Sequence, residues 1–172
     1  MRVVALIFMV LAFLVGGGCA GLLKVNIDSR TEGLDYSLLE KIQKEIDDLK
    51  KEGVDITKIE DPQIKENLEI LEKAPAKWKV SSAGIVGMVL SLLAFVMVIF
   101  AFMKKELVTK LSLLVAGLAI LLWIITPDIE AGTFSGANPK SIATIALVGL
   151  LIASGCAFMS YKLYLKKSQA IS

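Results

Sequence analysis

Residues 80–103 read VSSAGIVGMVLSLLAFVMVIFAFM, a stretch without one charged side chain. It reaches the roughly 20 apolar residues that cross the hydrocarbon of a bilayer. No water is available there to satisfy backbone N–H and C=O groups, so the stretch is read as a helix. Three further uncharged runs, 3–23, 111–126 and 141–161, are of the same kind. Hydrophobic residues make up 55% of the 172-residue chain and charged ones 21%, too apolar a balance for a soluble domain of this size. The chain is therefore read as an all-α membrane protein. Three spanning helices (81–172) follow an N-terminal signal or anchor helix (1–23), four spans in all if that helix is not cleaved. A small extracytoplasmic two-helix segment (24–80) lies between.

At the start, Arg2 is a minimal positive region, Val3 to Val15 an apolar one, and Gly16, Gly17, Gly18, Cys19, Ala20 and Gly21 a small-residue stretch, the order of parts in a secretory signal. The Gly17-Gly18-Cys19 end resembles the lipobox of bacterial lipoproteins, with Gly16 at the position where that family carries leucine. The resemblance covers the first 19 residues and implies Cys19 as a lipidation site and mature N-terminus. The alternative is an uncleaved anchor in which Cys19 is a small apolar residue. Cys156 lies in another apolar run, at the opposite membrane face, too far away to pair with Cys19.

The polar segment 24–80 carries 11 basic and 14 acidic residues and belongs in water. Ser37, Leu38, Leu39 and Glu40 fit a capping box. Leu38, Leu39, Ile42, Ile46 and Leu49 then recur at spacings that put them on one helical stripe, and Gly53 is a left-handed stop. Past Ile56 and Ile59, Asp61 and Pro62 open a second helix through Ile64, Leu68 and Leu71, ending near Pro75. A pair of this size has little core of its own. Its stripes pack on each other as a helical hairpin, on the membrane surface, or on another protein.

Lys77, Trp78 and Lys79 form an interfacial anchor ahead of the next span, and Tyr161, Lys162 and Tyr164 form one where the last span is expected to stop. Lys104, Lys105, Glu106 and Lys110 make a short turn. The loop 127–141 is rich in turn formers, Gly132, Gly136, Asn138 and Pro139 among them. Lysines in the short turn and after the last span, with Arg2, put those parts in the cytoplasm. The chain is thus expected in the inner membrane as a multi-pass protein, residues 24–80 outside and the C-terminus inside. The 11 basic residues of the exported segment count against this orientation.

Chemistry is sparse. There is no histidine, which removes the commonest general base, metal ligand and triad member. Asp47 with Asp48, Asp128 with Glu130, and Glu60 with Asp61 lack any ligand spacing and read as solvated faces. No catalytic residue, cofactor or metal site is expected, and a net charge of +2 without a basic-aromatic stripe excludes a nucleic-acid surface. The predicted spans hold no charge, so proton relays lack their usual parts. Gly149, Ala153 and Ala157, with Ala146 beside them, make a smooth strip for close helix approach. It serves either the chain's own helices or a second copy in a homo-oligomer.

The function expected is a non-enzymatic inner-membrane accessory, scaffold or assembly subunit presenting a small helical segment outside. Its partners are the bilayer and another membrane or extracytoplasmic protein, met by the stripe Leu38 to Leu49 and Ile64 to Leu71. The alternative is a holin-like oligomeric pore or small transporter using Ser91, Ser112, Thr144 and Ser154. An intramembrane enzyme built on Ser154 or Cys156 lacks a base.

Overall fold

The computed structural model describes residues 1–31, 35–53, 74–129 and 138–169, with Pro62, Ile64, Lys65, Leu68 and Leu71. Its helices are α1 (Arg2–Thr31), α2 (Tyr36–Lys51), α3 (Lys77–Phe102), α4 (Leu107–Ile125) and α5 (Pro139–Gln169). Among the described residues there is no strand. Four of the helices, α1, α3, α4 and α5, are long and apolar enough to cross a membrane, which makes this an all-α membrane fold.

Length ranks the spans. The 19 residues of α4 rise about 28 Å, close to the roughly 30 Å of hydrocarbon. The 30 residues of α1 and the 31 of α5 exceed it by several turns. Both helices run past their expected ends at Leu23 and Tyr161, because a formed helix adds a residue at little cost whether or not its side chains are polar. Gly16, Gly17 and Gly18 do not interrupt α1, since inside a bilayer an unwound backbone has nothing to bond to.

Packing order around the bundle is α1, α3, α4, α5 and back to α1, with α3 and α5 only grazing across the diagonal. Two contacts identify one end. Arg2 Nη2 donates to the Ala101 carbonyl at 3.3 Å, and the Arg2 guanidinium carbon lies 5.4 Å from the centre of the Tyr164 ring. The start of α1, the α3–α4 turn and the last turns of α5 therefore share a basic end. At the other end Lys24 of α1 lies against Gly84 of α3, and Lys140 of α5 sits 4.3 Å from the Trp123 ring centre of α4. The chain between α1 and α3 leaves and returns at this second, segment end.

The interior mixes small side chains with a few large apolar ones such as Met9, Leu90, Met97 and Leu150. Among the small ones, Ala20, Ala83, Ala94, Ala146, Ala153 and Ala157 are wholly buried. Large apolar residues face outward on every helix, with Leu14 61%, Leu92 67%, Leu113 72% and Ile152 49% exposed. An exterior apolar all round is a liability in water and the expected surface in lipid. Without a hydrophobic drive between helices, small residues and close backbone contact hold such a bundle together.

Among the described residues, two helix starts are capped by side chains. Asn138 Oδ1 accepts from Lys140 N at 2.8 Å, and Pro139 follows as the first helical residue of α5, where its missing N–H costs nothing. Asp35, not Ser37, caps α2: its carboxylate accepts from the Ser37 hydroxyl at 2.7 Å, Ser37 N at 2.9 Å and Leu38 N at 3.3 Å. The expected capping box is displaced because a carboxylate two residues upstream accepts the early N–H groups and suits the positive helix start better than a hydroxyl. Gly53, at φ 78°, follows the C-cap and ends α2.

Candidate functional site

The best-defined structural feature inside the membrane region is the seam between α1 and its two neighbours. Gly16 meets Gly149 of α5 so closely that a Cβ on Gly16 would lie 2.7 Å from Leu150 N, and one on Gly149 would lie 2.7 Å from Gly16 Cα. On the α3 side a Cβ on Gly87 would come within 2.5 Å of the Ala20 carbonyl oxygen. Phe13 and Phe95 pack tilted with ring centres 6.1 Å apart. Gly149, Ala153 and Ala157 are all buried. Cys19 is half-buried against the core, beside Ala20, well inside the bundle's height. Cys156, also half-buried, is free.

The second feature is the apolar stripe outside the bundle. Leu39, Ile42 and Ile46 are buried, and Ile64, Leu68 and Leu71 pack against Ile42 and Ile46. Leu49 is half-buried, whereas Leu38 remains 53% exposed. Most of the stripe is thus covered from within the chain. Below it a groove of about 380 Å³ is lined by Tyr36, Leu39, Gln43, Leu71, Pro75 and Lys77, among others. Burial raises the Tyr36 pKa above the ordinary tyrosine range. An exposed ion pair, Lys77 Nζ to Glu40 at 3.5 Å, links α2 to the start of α3 and contributes little by itself.

The remaining candidates do not converge. Asp47 accepts from Gln43 at 3.0 Å while Asp48 accepts from Lys51 at 2.9 Å. The Lys51 ammonium holds the Asp48 carboxyl below its usual range and is itself raised. Asp128 is bonded to Asn138. Ile56, Ile59, Glu60, Asp61, Glu130, Gly132 and Gly136 lie outside the described residues. Of the weakly polar membrane residues, Ser91 lies against Gly21 and the Ser112 hydroxyl donates to Thr109 O of its own helix. Ser154 contacts Met97 Sδ at 3.9 Å, and Thr144 accepts from Trp123 Nε1 at 3.1 Å at the segment end. They share no common surface.

The sequence reading missed the partners across the seam. Gly16, Ala20 and Gly87 are small residues inside apolar runs, the signal that singles out Gly149, but Gly16 and Ala20 stand in a helix that the sequence leaves open as signal or anchor. Compared with protein-family models, with curated proteins and with solved structures, the chain matches none.

Proposed function

We propose that this protein is a non-enzymatic, four-pass inner-membrane scaffold or assembly subunit, in which a close-packed bundle carries a small helical hairpin on the extracytoplasmic side. The observation that carries the reading is the contrast between the two parts. The bundle interior is occupied by interlocked small and apolar side chains, Leu90, Ala94, Met97, Val115 and Leu150 among them, with the buried hydroxyls of Ser112 and Ser154 turned to groups within the bundle. The outer segment, by contrast, offers Leu38 and the groove beside Tyr36 to a partner protein.

α1 is retained as the first span. Cleavage before Cys19 would remove Met9 and Gly16 from the core and leave 13 residues of α1, about 20 Å of helix and too short to cross. Cys19 also lies inside the hydrocarbon in this reading, out of reach of an enzyme working at the outer surface. Intact mass of the purified protein is expected to include residues 1–18 and no acyl group.

The partner is tested by a photo-crosslinker at Leu38 of the full-length protein in its native membrane. One defined adduct is expected there, and none from the same probe at Lys51. Solute flux through liposomes containing the purified protein, rising with its density, would replace this reading with the oligomeric pore.

A further inference from the structure

At the basic end the chain makes a groove of about 530 Å³ whose polar lining is Arg2, Lys104, Tyr164, Lys167 and Ser168. Three of these are cations drawn from the start of α1, the α3–α4 turn and the end of α5, and no carboxylate lines it among the described residues. Arg2 and Lys104 sit over the same aromatic ring, 5.4 and 5.2 Å from the centre of Tyr164. A ring quadrupole attracts each cation, but two like charges over one ring repel each other.

Two further observations accompany this crowding. Lys104 has φ 58°, the left-handed position after a helix that glycine or asparagine normally takes. The strained turn holds its ammonium by the Tyr164 ring. Arg2 spends one donor on the Ala101 carbonyl at 3.3 Å, while its Nε is buried with no hydrogen-bond partner among the described residues. Strain, like charge and an unmet donor coincide at one site, and an oxyanion in the groove would offset the repulsion between the cations.

We propose that this groove binds the phosphate of an anionic phospholipid head group from the leaflet at the basic end. A phosphate has enough acceptor oxygens for an arginine fork, two ammonium groups and the Ser168 hydroxyl at once. The lipid is favoured over a free anion by the rest of the wall: Val3 and Leu163 line the same groove and continue into the apolar exterior, so an acyl chain leaves the site along lipid-facing surface. Basic pockets between spanning helices at this depth recognise phosphorylated head groups by this chemistry.

The test is native mass spectrometry and fluorescent-lipid exchange on the full-length protein in detergent, with phosphatidylglycerol, phosphatidylcholine and inorganic phosphate as probes. Wild type is expected to retain phosphatidylglycerol over phosphatidylcholine. Lys104→Asn, which keeps a residue suited to the left-handed turn but removes the charge, is expected to weaken that binding about fivefold, the size of one near-surface cation's attraction. Lys167→Gln is expected to do the same. Lys79→Gln, the same charge change at the segment end, is expected to leave it unaltered. Equal losses from Lys79→Gln and Lys104→Asn, or no preference in wild type, would overturn the site. Displacement of phosphatidylglycerol by equimolar inorganic phosphate would overturn the assignment to a lipid.

Discussion

Glycines that look alike in the sequence are not equivalent residues. Gly16, Gly87 and Gly149 stand where a methyl group would press on the backbone of a neighbouring helix, whereas Gly18, Gly117 and Gly155 face open space. Backbone cannot step aside as a side-chain tip can, so overpacking here is expected to cost about 1–3 kcal/mol. At the open positions, replacing glycine removes its entropic penalty and gains up to about 1 kcal/mol. Gly16→Ala and Gly87→Ala are therefore expected to lower the midpoint of thermal unfolding in detergent, and Gly18→Ala and Gly155→Ala to hold or raise it. A fall of the same size at all four positions would remove the seam from the explanation.

At the scale of elements, α2 is the helix whose stability depends on solvent conditions. The Ser37 hydroxyl, then the backbone N–H groups of Ser37 and Leu38, hold the Asp35 carboxyl below its usual range. A folded-state pKa below the unfolded one means that the cap contributes fully above the ordinary aspartate value, near pH 4. Its contribution is lost as pH falls through the lower folded value. Hydrogen exchange at the Ser37 and Leu38 amides is expected to show less protection at pH 3 than at pH 6 after correction for intrinsic rates. Asp35→Asn, which keeps a capping oxygen without the charge, is expected to abolish that difference. α5 behaves otherwise: its start is capped by the uncharged Asn138 amide, and its Lys140 ammonium donates to the Trp123 and Thr126 carbonyls at the end of α4.

For the whole molecule the dominant property is charge polarity along the bundle. Arg2, Lys104, Lys105, Lys110, Lys162, Lys166 and Lys167 gather at one end with Glu106 as the one acidic side chain there among the described residues, while the segment 24–80 is acidic on balance. Basic residues near short turns resist export and are attracted to an anionic inner leaflet, so the basic end is expected in the cytoplasm. With both native cysteines replaced by alanine, Gln43→Cys is expected to react with a membrane-impermeant maleimide added outside intact cells. Glu106→Cys is expected to react only after permeabilisation. Labelling of both from outside would contradict the separation of the two ends.

The apolar spans and their helical state were legible in the sequence, because the bilayer imposes a length and a hydropathy that a single chain must meet segment by segment. The stripe of α2 and the stop at Gly53 were legible for a similar reason, being local periodicity and local backbone geometry. What the stripe packs on, and where its cap lies, was not, since three readings of the stripe bury the same residues and two nearby side chains compete for the same N–H groups. Nor was the packing of α1: a signal and a packed span share one composition, and the meeting of Gly16 with Gly149 and of Ala20 with Gly87 is visible only in three dimensions. Solvation is set residue by residue and can be read along the chain. Which helix covers which face depends on complementary surfaces far apart in sequence, and the tertiary structure alone decides it.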